Sequence, residues 1–159
     1  MKKFRFISAL LCFMVFFAFV GCTGSVSKDV NLFEVLNSIN FKFEIPEDDM
    51  LRIETTDDLE LYYNIAPADV KQFAAETTLN SSTDITEFVL VEAVDSEAAQ
   101  RVYDALQIRY NSQRDLCASY SAELLAIVNE CSVSQNGNYI ALIMSSEFDE
   151  ITEWYNSYF

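Results

Sequence analysis

Apolar positions recur at two different spacings along this chain, and the changes of spacing mark its elements. An apolar run from Phe6 to Val20, broken only by Ser8, follows the basic start Met1-Lys2-Lys3-Phe4-Arg5. A polar stretch, Thr23 to Ser27, comes next. Leu32, Val35, Leu36 and Ile39 then fall three and four apart, which predicts a short amphipathic helix with Asp29 as its cap. Phe41 and Phe43 alternate with Lys42 and Glu44 before a turn at Pro46-Glu47-Asp48-Asp49. Thr55 and Asp58 have capping-box-like spacing, so a helix carrying Leu59, Leu61, Tyr62 and Tyr63 is expected, ending before Pro67. Asp69 to Thr78 is ambiguous in pattern, although Phe73 to Leu79 suits a strand. Glu87-Phe88-Val89-Leu90-Val91-Glu92-Ala93 reads as an interior strand.

Asp95-Ser96-Glu97 opens a long helix whose inward stripe is Ala99, Val102, Leu106, Arg109 with Tyr110, and Gln113. A polar turn near Ser119–Ser121 leads to a second helix burying Leu124, Leu125 and Val128. Two β-prone runs, Cys131–Ser134 and Tyr139–Met144, flank Gln135-Asn136-Gly137-Asn138, a strong hairpin signal. A last helix from about Ser146 is apolar at Phe148, Ile151, Tyr155 and Tyr158. This order predicts an α+β fold, a small antiparallel sheet packed against helices as a two-layer sandwich, in a single domain over residues 29–159.

The first 21 residues have the plan of an export signal: a basic end, an apolar core, then small residues for a peptidase. The ending Phe19-Val20-Gly21-Cys22 resembles the signal of bacterial lipoproteins, with Phe19 where Leu is usual. The resemblance implies that Cys22 carries the lipid, that residues 1–21 are cut away, and that residues 22–28 form the lipidated Cys and tether. Cys12 would leave with the signal. An ordinary secretory signal and an uncut anchor remain the alternatives, although Phe6–Gly21 is short of the roughly 20 residues of a spanning helix. The expected location is therefore the cell membrane, lipid-anchored and facing outside the cytoplasm, with the bilayer as first partner. The tether reaches on the order of 20 Å when extended.

Charge narrows the choice of partners. The signal takes three of the ten basic residues and none of the 25 acidic ones, so the remainder carries a formal charge of roughly −18. Such a balance speaks against nucleic acid, whose binding rests on neutralising phosphates. Histidine is absent, which removes the commonest general base and zinc ligand and excludes Ser-His-Asp and Cys-His catalysis within this chain. No metal ligand set or cofactor motif stands out.

Three groups of residues carry possible chemistry. Arg109 and Gln113 lie one turn apart with Tyr120 just beyond; they form either a polar pocket for a carboxylate or amide, or an Arg paired with Glu87 or Glu123 beside capping side chains. Trp154 is either core or an exposed contact for a protein partner. Cys117 and Cys131 are either a disulfide or two buried thiols, and a helix between them would hold its ends about 13 Å apart. Acid pairs at Asp48/Asp49, Asp57/Asp58 and Asp149/Glu150 fall at turns and helix starts, where carboxylates favour the helix dipole.

The run Thr86–Ala93, then Leu106-Gln107-Ile108-Arg109, Gln113, Tyr120-Ser121-Ala122-Glu123, Asn136–Tyr139 and Leu142–Ser145, resembles a family of uncharacterised bacterial lipoproteins, the domain of unknown function 4358. The likeness spans residues 57–145 in spacing. Glu92 stands where the family tends to carry Lys, and Ser121 where it tends to carry Pro. The resemblance implies location and fold and no reaction. The expectation is a non-enzymatic interaction module that binds another envelope protein. A small carboxylate-based hydrolase of wall or peptide and a solute-binding lipoprotein are the alternatives.

Overall fold

The computed structural model describes residues 29–159; the signal, Cys12, Cys22 and the tether lie outside the described residues. The elements run α1 (Leu32–Lys42), β1 (Met50–Ile53), α2 (Thr56–Tyr63), β2 (Val70–Thr78), β3 (Glu87–Ala93), α3 (Ser96–Tyr120), α4 (Ala122–Glu130), β4 (Ser132–Asn136), β5 (Tyr139–Met144) and α5 (Phe148–Asn156). Short 3-10 turns at Glu47–Asp49 and Pro67–Asp69 introduce β1 and β2. The five strands form one open sheet in the order β1-β2-β3-β5-β4, with every neighbouring pair antiparallel. The expected α+β sandwich with an antiparallel sheet is what the chain forms, in three layers instead of the expected two.

Helices cover both faces of the sheet. Phe88 and Leu90 of β3, with Ala141 and Ile143 of β5, point to α1 and α5. Val89 and Val91, with Ile140 and Leu142, point to α2, α3 and α4. Every residue of strand β3 is therefore buried, and its continuous apolar run follows from burial on both sides. Each of the large side chains sealed there is worth roughly 1.5–3 kcal/mol of burial. The acids that interrupt the run, Glu87 and Glu92, sit near its ends.

Local chemistry explains the element ends and corrects several readings. Asn31, not Asp29, caps α1, its side-chain oxygen accepting from the backbone N–H groups of Phe33 and Glu34. Asn31 immediately precedes the first helical residue, whereas Asp29 is two positions too early to reach those N–H groups. The helix runs on through Phe41 to Lys42, so the apparent alternation there is not a strand. It closes with Phe43 N–H donating to the Ile39 carbonyl and Ile45 N–H to the Asn40 carbonyl, around Glu44 at φ 52°. That is the six-to-one closure that usually takes glycine at the left-handed position.

Thr55 and Asp95 cap α2 and α3 as expected. Ser121 ends α3 and caps α4 at once. Strand β1 was not anticipated, because four residues containing Arg52 show no legible alternation. In the final hairpin Asn136 pairs with Tyr139, so the loop residues are Gly137 and Asn138, with Gly137 at φ 60°. The turn thus takes Gly at its first central position instead of Asn-Gly.

Candidate functional site

The fold leaves four carboxyl side chains buried: Asp69, Glu76, Glu87 and Glu92. Arg109 of α3 answers Glu87 with two parallel bonds, Nε to Oε1 at 3.0 Å and Nη2 to Oε2 at 3.1 Å. The Gln113 amide oxygen, in the orientation that satisfies both side chains, accepts from Nη1 and Nη2 of the same Arg at 2.9 and 2.7 Å. The guanidinium also lies 5.7 Å from the Tyr63 ring centre, and the Tyr63 hydroxyl is pushed up in pKa by burial and then by the Glu87 charge. Arg109 and Gln113 are therefore together, over Glu87 on the sheet face that α3 covers. Tyr120 is elsewhere, half exposed and donating to the Ser81 carbonyl at 2.8 Å.

The other acids are held similarly. Arg101 fixes both oxygens of Asp69, at 2.9 and 2.7 Å, and those bonds hold the carboxyl below its ordinary pKa. Glu92 receives Lys71 at 2.7 Å and Gln72 at 2.6 Å. Burial alone would raise the pKa of Glu92, but the bonds from Lys71 and Gln72 outweigh it and the group ends below its usual range. Lys71 thus balances the acid at the position where a Lys was expected. Cys117 and Cys131 are free and buried. The Cys131 thiol donates to the Ile127 carbonyl at 3.3 Å, and burial pushes its pKa up.

These pairs leave very little basic charge uncommitted. Among the described residues Lys42 is the one base without a carboxylate partner. Its ammonium instead sits 3.7 Å from the centre of the Trp154 ring, a cation–π contact between the end of α1 and α5. Trp154 is half-buried; its indole N–H donates to Ser38 at 3.1 Å, and Tyr158 donates to the same hydroxyl at 2.8 Å.

Between these helices runs a groove of about 940 Å³, lined on the α1 side by Asn37, Ser38, Asn40, Phe41 and Lys42, then by Glu44, Ile45 and Glu47, and by Trp154. Four choices in it do not serve the fold. Phe41 is 90% exposed on an otherwise solvated helix face. Glu44 holds a left-handed conformation that costs a side-chain-bearing residue about 1 kcal/mol. The Asn40 side-chain oxygen is buried without a hydrogen-bond partner. Lys42 has no acid. Departures from local consistency gathered in one concavity are the pattern of a binding site.

Of these residues only Trp154 was singled out from sequence. Phe41 could have been found as the apolar residue that falls off the 32-35-36-39 stripe. Asn40 carries no such signal, since it sits one place along from a core Ile.

Residues 44–145 match the family model described as Domain of unknown function (DUF4358). The chain belongs to this family. No curated protein and no solved structure matches it. The DUF4358 span holds all five strands with α2, α3 and α4, and so includes the Glu87–Arg109 network. It does not include α1 or α5, the two walls of the groove. No helix among the described residues is long and apolar enough to cross a membrane.

Proposed function

We propose that the chain is a lipid-anchored, extracytoplasmic interaction module without catalytic activity of its own, and that it docks another envelope protein through the groove between α1 and α5. The observation that carries this reading is the nearly complete exposure of Phe41 beside Trp154 and the unpaired Lys42. An exposed aromatic next to a half-buried one offers a partner an apolar anchor point, the arrangement that concentrates binding energy in a few residues. The groove's lining adds Glu44 and Glu47, and Asp48 and Asp49 follow directly in the chain, all four exposed. The fitting partner segment therefore brings one apolar side chain with basic residues around it, and the acidic domain attracts it from a distance. The lack of histidine and the commitment of the buried acids to dedicated bases support a non-enzymatic role. The basic start, apolar run and Cys22 support the lipid anchor.

The test is in-cell photo-cross-linking from position 41 in the tethered protein, with Cys22→Ala and Trp154→Ala beside it. An exported partner carrying a basic, apolar-anchored segment should be captured, lost in Trp154→Ala, and recovered far less from Cys22→Ala. Equal capture by all three, or no adduct at all, would overturn the docking reading.

A further inference from the structure

A smaller pocket of about 240 Å³ lies on the other side of Glu47, walled by Glu47, Met50, Arg52 and Glu76. Arg52 and Glu76 are direct cross-strand partners in β1 and β2. Arg52 Nη2 donates to Glu76 Oε2 at 3.1 Å and to Asn37 Oδ1 at 3.3 Å, with the guanidinium 5.4 Å from the Phe33 ring centre. The Glu76 side chain is 2% exposed, yet its Oε1 has no hydrogen-bond partner. Asp69, Glu87 and Glu92 each have both oxygens bonded. Glu76 is thus the exception among the four buried acids, and the exception lines a cavity.

A buried acceptor left unbonded is costly, so the fold retains it at a loss unless a donor arrives from elsewhere. The walls specify the donor. Two carboxylates face one guanidinium, leaving the pocket one positive charge short of balance, so a monocation fits. A hard divalent cation would overshoot that balance by one charge and sit against the Arg52 guanidinium. A primary ammonium brings three N–H donors on a compact charge, one for Glu76 Oε1 and one for Glu47. Met50 offers a polarisable apolar wall for the alkyl stem.

We propose that this pocket binds a primary ammonium group on a short alkyl stem. It adjoins the docking groove, with which it shares Glu47 as a wall, and does not depend on the docking reading. The test is calorimetry on the full-length protein in detergent micelles at low salt, with n-propylammonium and N-acetyl-lysine methylamide as probes. At least one should bind saturably; the free amine binding tighter assigns a small solute, the lysine amide tighter a lysine side chain of a partner. Tetramethylammonium, which has the charge but no N–H, should bind at least about tenfold more weakly. Glu76→Gln should weaken the amine by a similar factor, and Phe41→Asp should leave it unchanged. Should Glu76→Gln fail to fold, Glu47→Gln takes its place with a smaller expected loss. No saturable binding of either amine, equal binding of tetramethylammonium or potassium, or full affinity in the glutamine variant would each overturn the proposal.

Discussion

Under α3, Glu87 spends both oxygens on Arg109, and Gln113 completes the guanidinium. On the opposite face, Glu76 spends one oxygen on Arg52 and leaves the other unbonded, and Arg52 reaches Asn37, one turn of α1 before an unpartnered Asn40 and a bare Phe41. The first arrangement lies wholly within the DUF4358 span. The second is completed by α1 and α5, which lie outside it. A saturated network defends a fold and has nothing to offer a ligand. An unsaturated one weakens the fold slightly and can be completed by something else.

The comparison is broken most directly by removing one base from each face. Arg109→Met strands Glu87 in the core and should cost about 3–5 kcal/mol in urea unfolding. Arg52→Met should cost clearly less, because Glu76 already has an open oxygen beside a pocket. Equal losses would remove the distinction between the faces.

Acid comes next in size. The carboxyls of Asp69 and Glu92 are held below their ordinary values of 3.8 and 4.5. A depressed folded-state pKa contributes stability above the unfolded value and loses it as pH falls through the folded one. Unfolding free energy should therefore drop steadily once the pH goes below about 4, and Asp69→Asn should flatten that slope.

Smaller gains are expected on the groove side. Asn40→Leu removes a buried acceptor without a partner and should stabilise by about 1 kcal/mol. Glu44→Gly should add about 0.5–1 kcal/mol by relieving the left-handed residue. Phe41→Asp, last in order, should move stability by under about 0.5 kcal/mol while abolishing capture by the groove. A large loss of stability in that variant would mark Phe41 as a packing residue and end its role as a contact.

How much of this could be read beforehand depended on range along the chain. Strand β3, the capped start of α3 and the Gly137 hairpin were legible because patterning and turn chemistry fix them locally. The partner of Arg109 was narrowed to two acids, and only the sheet register selects Glu87 over Glu123. Tyr120 looked like a neighbour of Gln113 on one helix, but at the helix end it bonds instead to Ser81. The groove was illegible for a different reason. Its floor joins Ser38 to Trp154, 116 residues apart, and no local pattern announces that meeting. Strand β1 escaped because an edge strand of four residues is shaped by its partner more than by its own sequence.

Gln72 has a mechanical consequence. Its amide accepts from the Leu32 backbone N–H at 3.1 Å and donates to the Val30 carbonyl at 2.8 Å, while also gripping Glu92 on the next strand. The chain entering α1 is thereby clasped to the middle of the sheet. Tension arriving from the N-terminal side is received by β2 and shared with β3, the most deeply buried strand, before it can peel α1 from the groove. Under the proposed anchoring, a pull on the chain would leave the proposed docking face in shape, and Gln72→Ala would be the cut that lets the strain reach it.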